Sequence, residues 1–146
     1  MVDTLTPIQR SVRMSKIRSQ DTKPEIALRK ALHSLGFRFR LHGRKLPGKP
    51  DVILPKYRAV IFVHGCFWHR HPGCRVAHIP KSNTDFWQQK FDRNVARDLE
   101  NIADLTAAKW RVFVVWECEL KNPKSTQIVT ESLAFRIKGD FEHPII

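Results

Sequence analysis

Val60-Ile-Phe-Val63 is a continuous apolar run, the pattern of a strand buried on both faces. Around it the chain switches between helical and extended periods. Leu28, Ala31, Leu32 and Leu35 recur at helical spacing. They follow Thr22-Lys-Pro-Glu25, which has the form of a capping box, and precede Gly36, a helix-stop signal. Extended segments are predicted over residues 37–41, 51–54 and 58–64, separated by Leu46-Pro-Gly-Lys-Pro50 and Pro55-Lys-Tyr57. A long helix is predicted over 85–108, on the stripe Trp87, Phe91, Val95, Ile102 and Leu105. Residues 110–116 read as a fourth strand, and a terminal helix is expected over 126–137, beyond Asn122-Pro123. Near the start, Thr6-Pro7 can open a helix through Ile17 that is too polar and basic to pack in a core. Residues 1–20 are therefore expected to form an arm that needs a partner to lie on. Without repeats or a linker, the whole pattern predicts one α/β domain over 1–146.

Charge narrows the partner. The net charge is +12, and residues 1–50 hold twelve Lys/Arg against Asp3, Asp21 and Glu25. Such an excess favours polyphosphate through counterion release, and nucleic acid is the expected partner rather than an anionic lipid surface. No apolar run is long enough for a membrane span and no secretory leader is evident, so an intracellular protein is expected. Three cysteines, an odd number in a reducing compartment, favour metal binding or free thiols over a disulfide framework.

The chemistry concentrates after the apolar strand. Between His64 and Cys74 lie three histidines, two cysteines and the pair Phe67-Trp68. Cys66, His71 and Cys74, with Cys118 past the fourth strand, make a donor set suited to a closed structural zinc site. Spacing alone leaves open whether His71 or His69 completes it. Asp51 opens a short apolar strand, where it either holds a hard cation such as Mg²⁺ against a phosphate or caps a turn. His64 and His69 are candidates to activate water or to donate to a leaving oxygen. Asp98 falls inside the apolar stripe of the long helix, where a carboxylate needs a partner, either a neighbouring histidine or a basic residue of the sheet. Asn94 shares that face. Phe67 and Trp68 are suited to stacking on bases, with Met14 and Trp87 as further wedges.

These blocks occur together, in this order, in one family. Leu46-Pro-Gly-Lys-Pro-Asp51, the segment 60–74, Phe86-Trp87, Asn94-Val-Ala-Arg-Asp98 and Trp110-Arg-Val-Phe-Val-Val-Trp-Glu-Cys118 resemble the very short patch repair (Vsr) DNA mismatch endonucleases. The resemblance reaches to about Leu120. It implies a restriction-endonuclease-like core, a central mixed sheet flanked by helices, with a structural zinc site and an N-terminal helical arm. It also implies strand-specific, Mg²⁺-dependent nicking 5′ of the T in T:G mismatches left by 5-methylcytosine deamination, with a 5′-phosphate on the T.

Carried over residue by residue, the resemblance makes Asp51 and the Val63 carbonyl the Mg²⁺ ligands. It makes His69 the general base, braced by Asp98 and Glu25, and sets His64 at the phosphate. Cys66, His71, Cys74 and Cys118 hold Zn²⁺. Phe67, Trp68 and Trp87 enter from the major groove and Met14 from the minor groove, and Lys90 and Asn94 are further DNA contacts. Phe62-Val-His64 stands where many such nucleases carry Glu-x-Lys, which places more of the chemistry on histidine. The expected setting is a monomer on double-stranded DNA in the bacterial cytoplasm, nucleoid-associated, with mismatch-repair proteins as further partners. The rival expectations are another restriction-like nuclease or nickase of unmodified sites, and a non-catalytic zinc DNA-binding module.

Overall fold

A computed structural model describes residues 21–142 of the chain; the predicted arm, including Met14, lies outside them. Among the described residues are three α-helices and a four-stranded mixed sheet. In chain order they run α1 (Lys23–Ser34), β1 (Arg40–Leu41), β2 (Val52–Leu54), β3 (Ala59–His64), α2 (Thr84–Ala107), β4 (Arg111–Trp116) and α3 (Pro123–Glu142). The strand order is β1-β2-β3-β4. β2 pairs antiparallel with both β1 and β3, while β3 and β4 run parallel, from Ala59↔Arg111 to His64↔Trp116. A parallel pair needs a long crossover, and α2 supplies it.

β3 is buried along almost its whole length, and its period of two assigns each residue to a layer. Ala59 and Ile61 join Val52, Leu54, Phe113 and Val115 in a core closed by Leu28 and Leu32 of α1 and by Leu133 and Ile137 of α3. Val60 and Phe62 pack with Leu105 of α2 on the other face. His64 continues the second set, so the strand's alternation aims its imidazole at α2. By the same parity, Asp51 shares the side of Ile53, which also packs on that cluster.

Four local expectations are corrected. The first strand, expected over 37–41, is only Arg40–Leu41, because Phe37 and Phe39 pack into the α1–α3 core instead of pairing. Thr22 is the N-cap of α1 but makes no side-chain cap hydrogen bond, and the Glu25 carboxylate accepts the Asp21 N–H (2.8 Å) and an Arg29 N–H (3.1 Å). Leu35 and Val95, placed in apolar stripes, are exposed at 39% and 36%. The terminal helix begins at Pro123 because Asn122 Oδ1 caps it, accepting the Ser125 N–H at 2.9 Å, with proline at the first helical position.

Candidate active site and metal cluster

The strand ends, the turn before β2 and the helix α2 enclose a cavity of about 340 Å³. Glu25, His42, Arg44, Lys49, Asp51, Val63, His64, His69 and Asp98 contribute to its wall. Asp51 sits one residue before β2 and is fixed through its side chain: Oδ2 accepts the Val63 N–H at 2.7 Å. Oδ1 has no hydrogen-bond partner among the described residues. Burial pushes the Asp51 carboxyl up to about 6, against the pull of the Val63 N–H, and the charge of Glu25 adds to the rise. A cation beside Asp51 would relieve that cost, so the position fits a hard metal ion.

His69 Nδ1 lies 2.7 Å from Asp98 Oδ2. A carboxylate only accepts, so Nδ1 carries a proton, and in the neutral ring the lone pair falls to Nε2. Asp98 is 19% exposed on its side chain, and this imidazole is its partner; no lysine or arginine bridges it among the described residues. Of the two partners open to Asp98 from the sequence, the structure brings the histidine. His64 lies under the pair: its ring stacks on His69 with centroids 4.0 Å apart and planes 7° from parallel. Burial lowers the His64 pKa to about 4, with the charge of His69 acting in the same direction, so His64 is neutral at pH 7.

The chain reverses between His69 and His71 at Arg70, whose φ is +57°. Left-handed backbone costs a non-glycine residue of the order of 1 kcal/mol, and the Arg70 side chain offsets it. Its guanidinium donates to the carbonyls of Phe67 (3.2 Å), Ala77 (2.6 Å) and His78 (3.2 Å) and lies 3.9 Å from the Phe91 ring centre. The reversal separates the histidines. His69 faces Asp98, whereas His71 faces the cysteines, with Nδ1 3.4 Å from Cys118 Sγ.

Donor atoms of Cys66, His71, Cys74 and Cys118 all lie within 4.8 Å of one another. Gly73, at φ +73°, turns the loop so that Cys74 returns to Cys66, and the short 3-10 segment after β4 delivers Cys118 from the sheet. Burial drives the Cys66 thiol up to about 12 and raises that of Cys118, whereas a hydrogen bond from the Val76 backbone lowers that of Cys74. Three sulfurs and one imidazole at this spacing fit a tetrahedral soft-to-borderline metal.

Phe67 packs against Trp68, Trp87 and Phe91 at ring separations of 5.0, 5.7 and 5.1 Å. Trp68 and Trp87, 6.0 Å apart, lie half-buried at the margin of this cluster. The Lys90 ammonium stands 5.0 Å from the Trp68 ring centre. Asn94 donates to the Trp68 carbonyl at 3.2 Å, so it fastens the aromatic loop to α2. Glu25 reaches the cavity, and its Oε2 accepts from the Asp21 N–H and from Arg29.

Several residues of the site went unremarked in the sequence. Arg70 is one. Glu117 accepts the Cys66 N–H at 3.0 Å. Trp116 stacks on His71 (4.3 Å, 12°) and meets His64 edge-on, linking the two clusters. Adjacency to Cys118 was the signal for the last two. Nothing in the sequence pointed to His42, whose Nε2 lies 3.2 Å from Asp21 Oδ1.

Fold and site together set candidate acid–base groups and a buried carboxylate in one cavity with Arg44 and Lys49, beside a Cys/His cluster, an arrangement that suits a nuclease built on an α/β sheet. A sequence profile described as DNA mismatch endonuclease Vsr matches residues 2–75. The chain is 39% identical over 142 residues to the DNA mismatch endonuclease Vsr of Escherichia coli (strain K12), covering 96% of this chain and 90% of the relative. It is 52% identical over 122 residues to the type II nicking enzyme V.XorIIP of Xanthomonas oryzae pv. oryzae, covering 84% and 89%. It is 51% identical over 122 residues to the type II nicking enzyme V.NmeAIP of Neisseria meningitidis, covering 84% and 86%. The chain belongs to the Vsr family of DNA endonucleases.

Proposed function

We propose that the protein nicks one strand of double-stranded DNA 5′ of the T in a T:G mismatch, leaving a 5′-phosphate on that T. The observation that carries this reading is the His69–Asp98 pair facing Asp51 across one cavity, with the aromatic loop leading from the same strand. Asp51 and the Val63 carbonyl would hold Mg²⁺, which when bound supplies positive charge against the scissile phosphate. His69 Nε2 takes the proton of the attacking water, and Asp98 stabilises the imidazolium that results. His64, neutral and stacked beneath, sets the ring plane and meets the phosphate side. Cys66, His71, Cys74 and Cys118 hold Zn²⁺, which fixes the loop without taking part in the reaction.

Recognition in this reading is mechanical. Trp68, Trp87 and Phe67 press on the base stack with Lys90 beside them, and residues 1–20 with Met14 grip the opposite groove. Opening a stack costs least at a mismatch, so the wedge itself selects. An antiparallel β-hairpin leading into a parallel pair, with Asp51 at its base, supports a restriction-endonuclease-like core; in this reading it acts as one domain and as a monomer. No described helix is long and apolar enough to cross a membrane, and the proposed setting is the bacterial nucleoid, alongside mismatch-repair proteins.

Relatives named as type II nicking enzymes favour a related second reading, in which the protein is a nickase of unmodified sites. End-labelled duplexes with T:G, T:A and C:G at one position and varied flanks, with Mg²⁺ or EDTA, test both. Mg²⁺-dependent cutting of the T strand in T:G duplexes alone is expected. Equal cutting of matched duplexes would overturn the mismatch reading.

A further inference from the structure

The cavity at Asp51 does not end at His69. A groove of about 600 Å³ adjoins it and leads to Trp68; Arg44, Lys49, His69, Asp98 and Asn101 line both. Charge is unevenly divided between the two. Glu25, Asp51 and Asp98 face the cavity, which suits a cation, whereas the groove sets Asp98 alone, already engaged by His69, against Arg44, Lys49 and Arg97. Arg44 and Lys49 come from the turn before β2 and Arg97 from α2, so cationic residues stand on both walls. All three are exposed, and none has an acidic partner among the described residues. Cations gathered on a concave surface without counter-charge raise the potential there, and an oxyanion relieves it.

The groove is also held to a fixed width. Asn94, Asp98 and Asn101 recur on one face of α2, and each meets a different element. Asn94 donates to the Trp68 carbonyl and Asp98 pairs with His69. Asn101 abuts Gly48 so closely that a Cβ there would lie 2.9 Å from its Nδ2. One turn further, the Lys49 N–H donates to the Leu46 carbonyl at 3.0 Å and closes the loop. Lys49 itself stands at φ +51°, where glycine is favoured and the chain nonetheless carries a cation.

We propose that Arg44 and Lys49 on one wall and Arg97 on the other clamp the backbone phosphate on the 3′ side of the mismatched T. The cut, 5′ of that T, lies at the Asp51 end of the path, and the aromatic stack lies at the Trp68 end. The phosphate between them is the one whose capture fixes the distance from wedge to cut. Guanidinium and ammonium groups neutralise its oxygens and donate to them, but they read no base. They therefore set the register of the strand and leave selection to the wedge. The choice of phosphate rests on the proposed function; the anion subsite itself does not.

Binding of the full-length protein to a T:G duplex without Mg²⁺, read by fluorescence anisotropy, tests the clamp apart from cutting. The T strand is prepared with one uncharged methylphosphonate at a time along its backbone. Arg44→Ala, Lys49→Ala and Arg97→Ala should each weaken binding to the all-phosphate duplex about tenfold, with melting temperatures unchanged. With the methylphosphonate placed 3′ of the T, the parent should lose a similar factor and the variants nothing further. Unchanged binding in all three variants, or losses that multiply at every position, overturns the subsite. Coupling confined to phosphates on the 5′ side of the cut overturns the register. In a parallel arm with Mg²⁺, a parent that fails to nick the T:G duplex while the coupling persists would overturn the proposed function and leave the clamp standing.

Discussion

The Val63 N–H donates to Asp51 Oδ2 at 2.7 Å, so the buried carboxylate is held by the backbone of the strand beside it. This bond sets the aim of Asp51 but does not cancel the cost of its charge, which is why its pKa stands near 6 and not 3.8. A carboxyl whose folded pKa is raised favours the folded state when protonated. That stability is lost as pH rises from 3.8 through 6, and it stays lost above. Two units correspond to at most about 3 kcal/mol. Asp51→Asn should therefore raise the melting temperature of the zinc-loaded, Mg²⁺-free protein at pH 8, with a smaller gain at pH 5, while abolishing nicking. Thermal denaturation at the two pH values checks it; a gain that is larger at pH 5 contradicts the assignment.

His64 acts in the opposite direction. Its pKa is depressed from 6.5 to about 4, so the folded state keeps it neutral while the unfolded chain takes up a proton. Stability is lost as pH falls from 6.5 through 4. His64→Gln should flatten the acid limb of the stability curve between those values, measured by urea unfolding at fixed zinc.

Removing the Asp98 carboxylate releases the tautomer of His69. Asp98→Asn and His69→Ala are expected to lower the nicking rate by roughly 10²–10⁴-fold, with binding to the T:G duplex within about threefold of the parent. Single-turnover kinetics beside a gel-shift titration separate the two effects. Equal loss of binding and rate would point to a collapsed loop.

Arg70 tests the link between the loop and both clusters. Arg70→Ala gives up three carbonyl hydrogen bonds and the stack on Phe91, a loss of about 2–4 kcal/mol. Arg70→Lys keeps the charge without the planar fork and should recover little of it. Both variants should also hold zinc less tightly, read by competition with a chromophoric chelator.

Trp68 stands at the edge of the aromatic cluster with its carbonyl fixed by Asn94. Trp68→Ala should cut the preference for T:G over T:A by about tenfold, in line with ~1–3 kcal/mol for a base–aromatic stack. Competition between the two duplexes in one reaction measures it directly.

Much of the frame was legible in the sequence. The run 60–63 announced a doubly buried strand, and the long helix and fourth strand fall within a residue of their expected bounds. Both signals are strong because burial of a whole strand or helix face leaves little freedom in which residues are apolar. The capping box at Thr22 was misread because Glu25 is drawn to Arg29 and the Asp21 N–H. The stripe positions Leu35 and Val95 failed because helical spacing gives a face without saying how far the neighbouring layer extends.

By itself, then, the sequence determined the α/β pattern, the supply of cysteines, histidines and carboxylates, and the basic charge that attracts a phosphate backbone. It did not determine how the histidines divide. His69 and His71 are two residues apart, and spacing permits either to join the cysteines. The left-handed turn at Arg70, held by carbonyls of the loop and the Phe91 ring, sends one imidazole to Asp98 and the other to Cys118. That outcome depends on contacts between segments distant in the chain, which only the packed structure brings together.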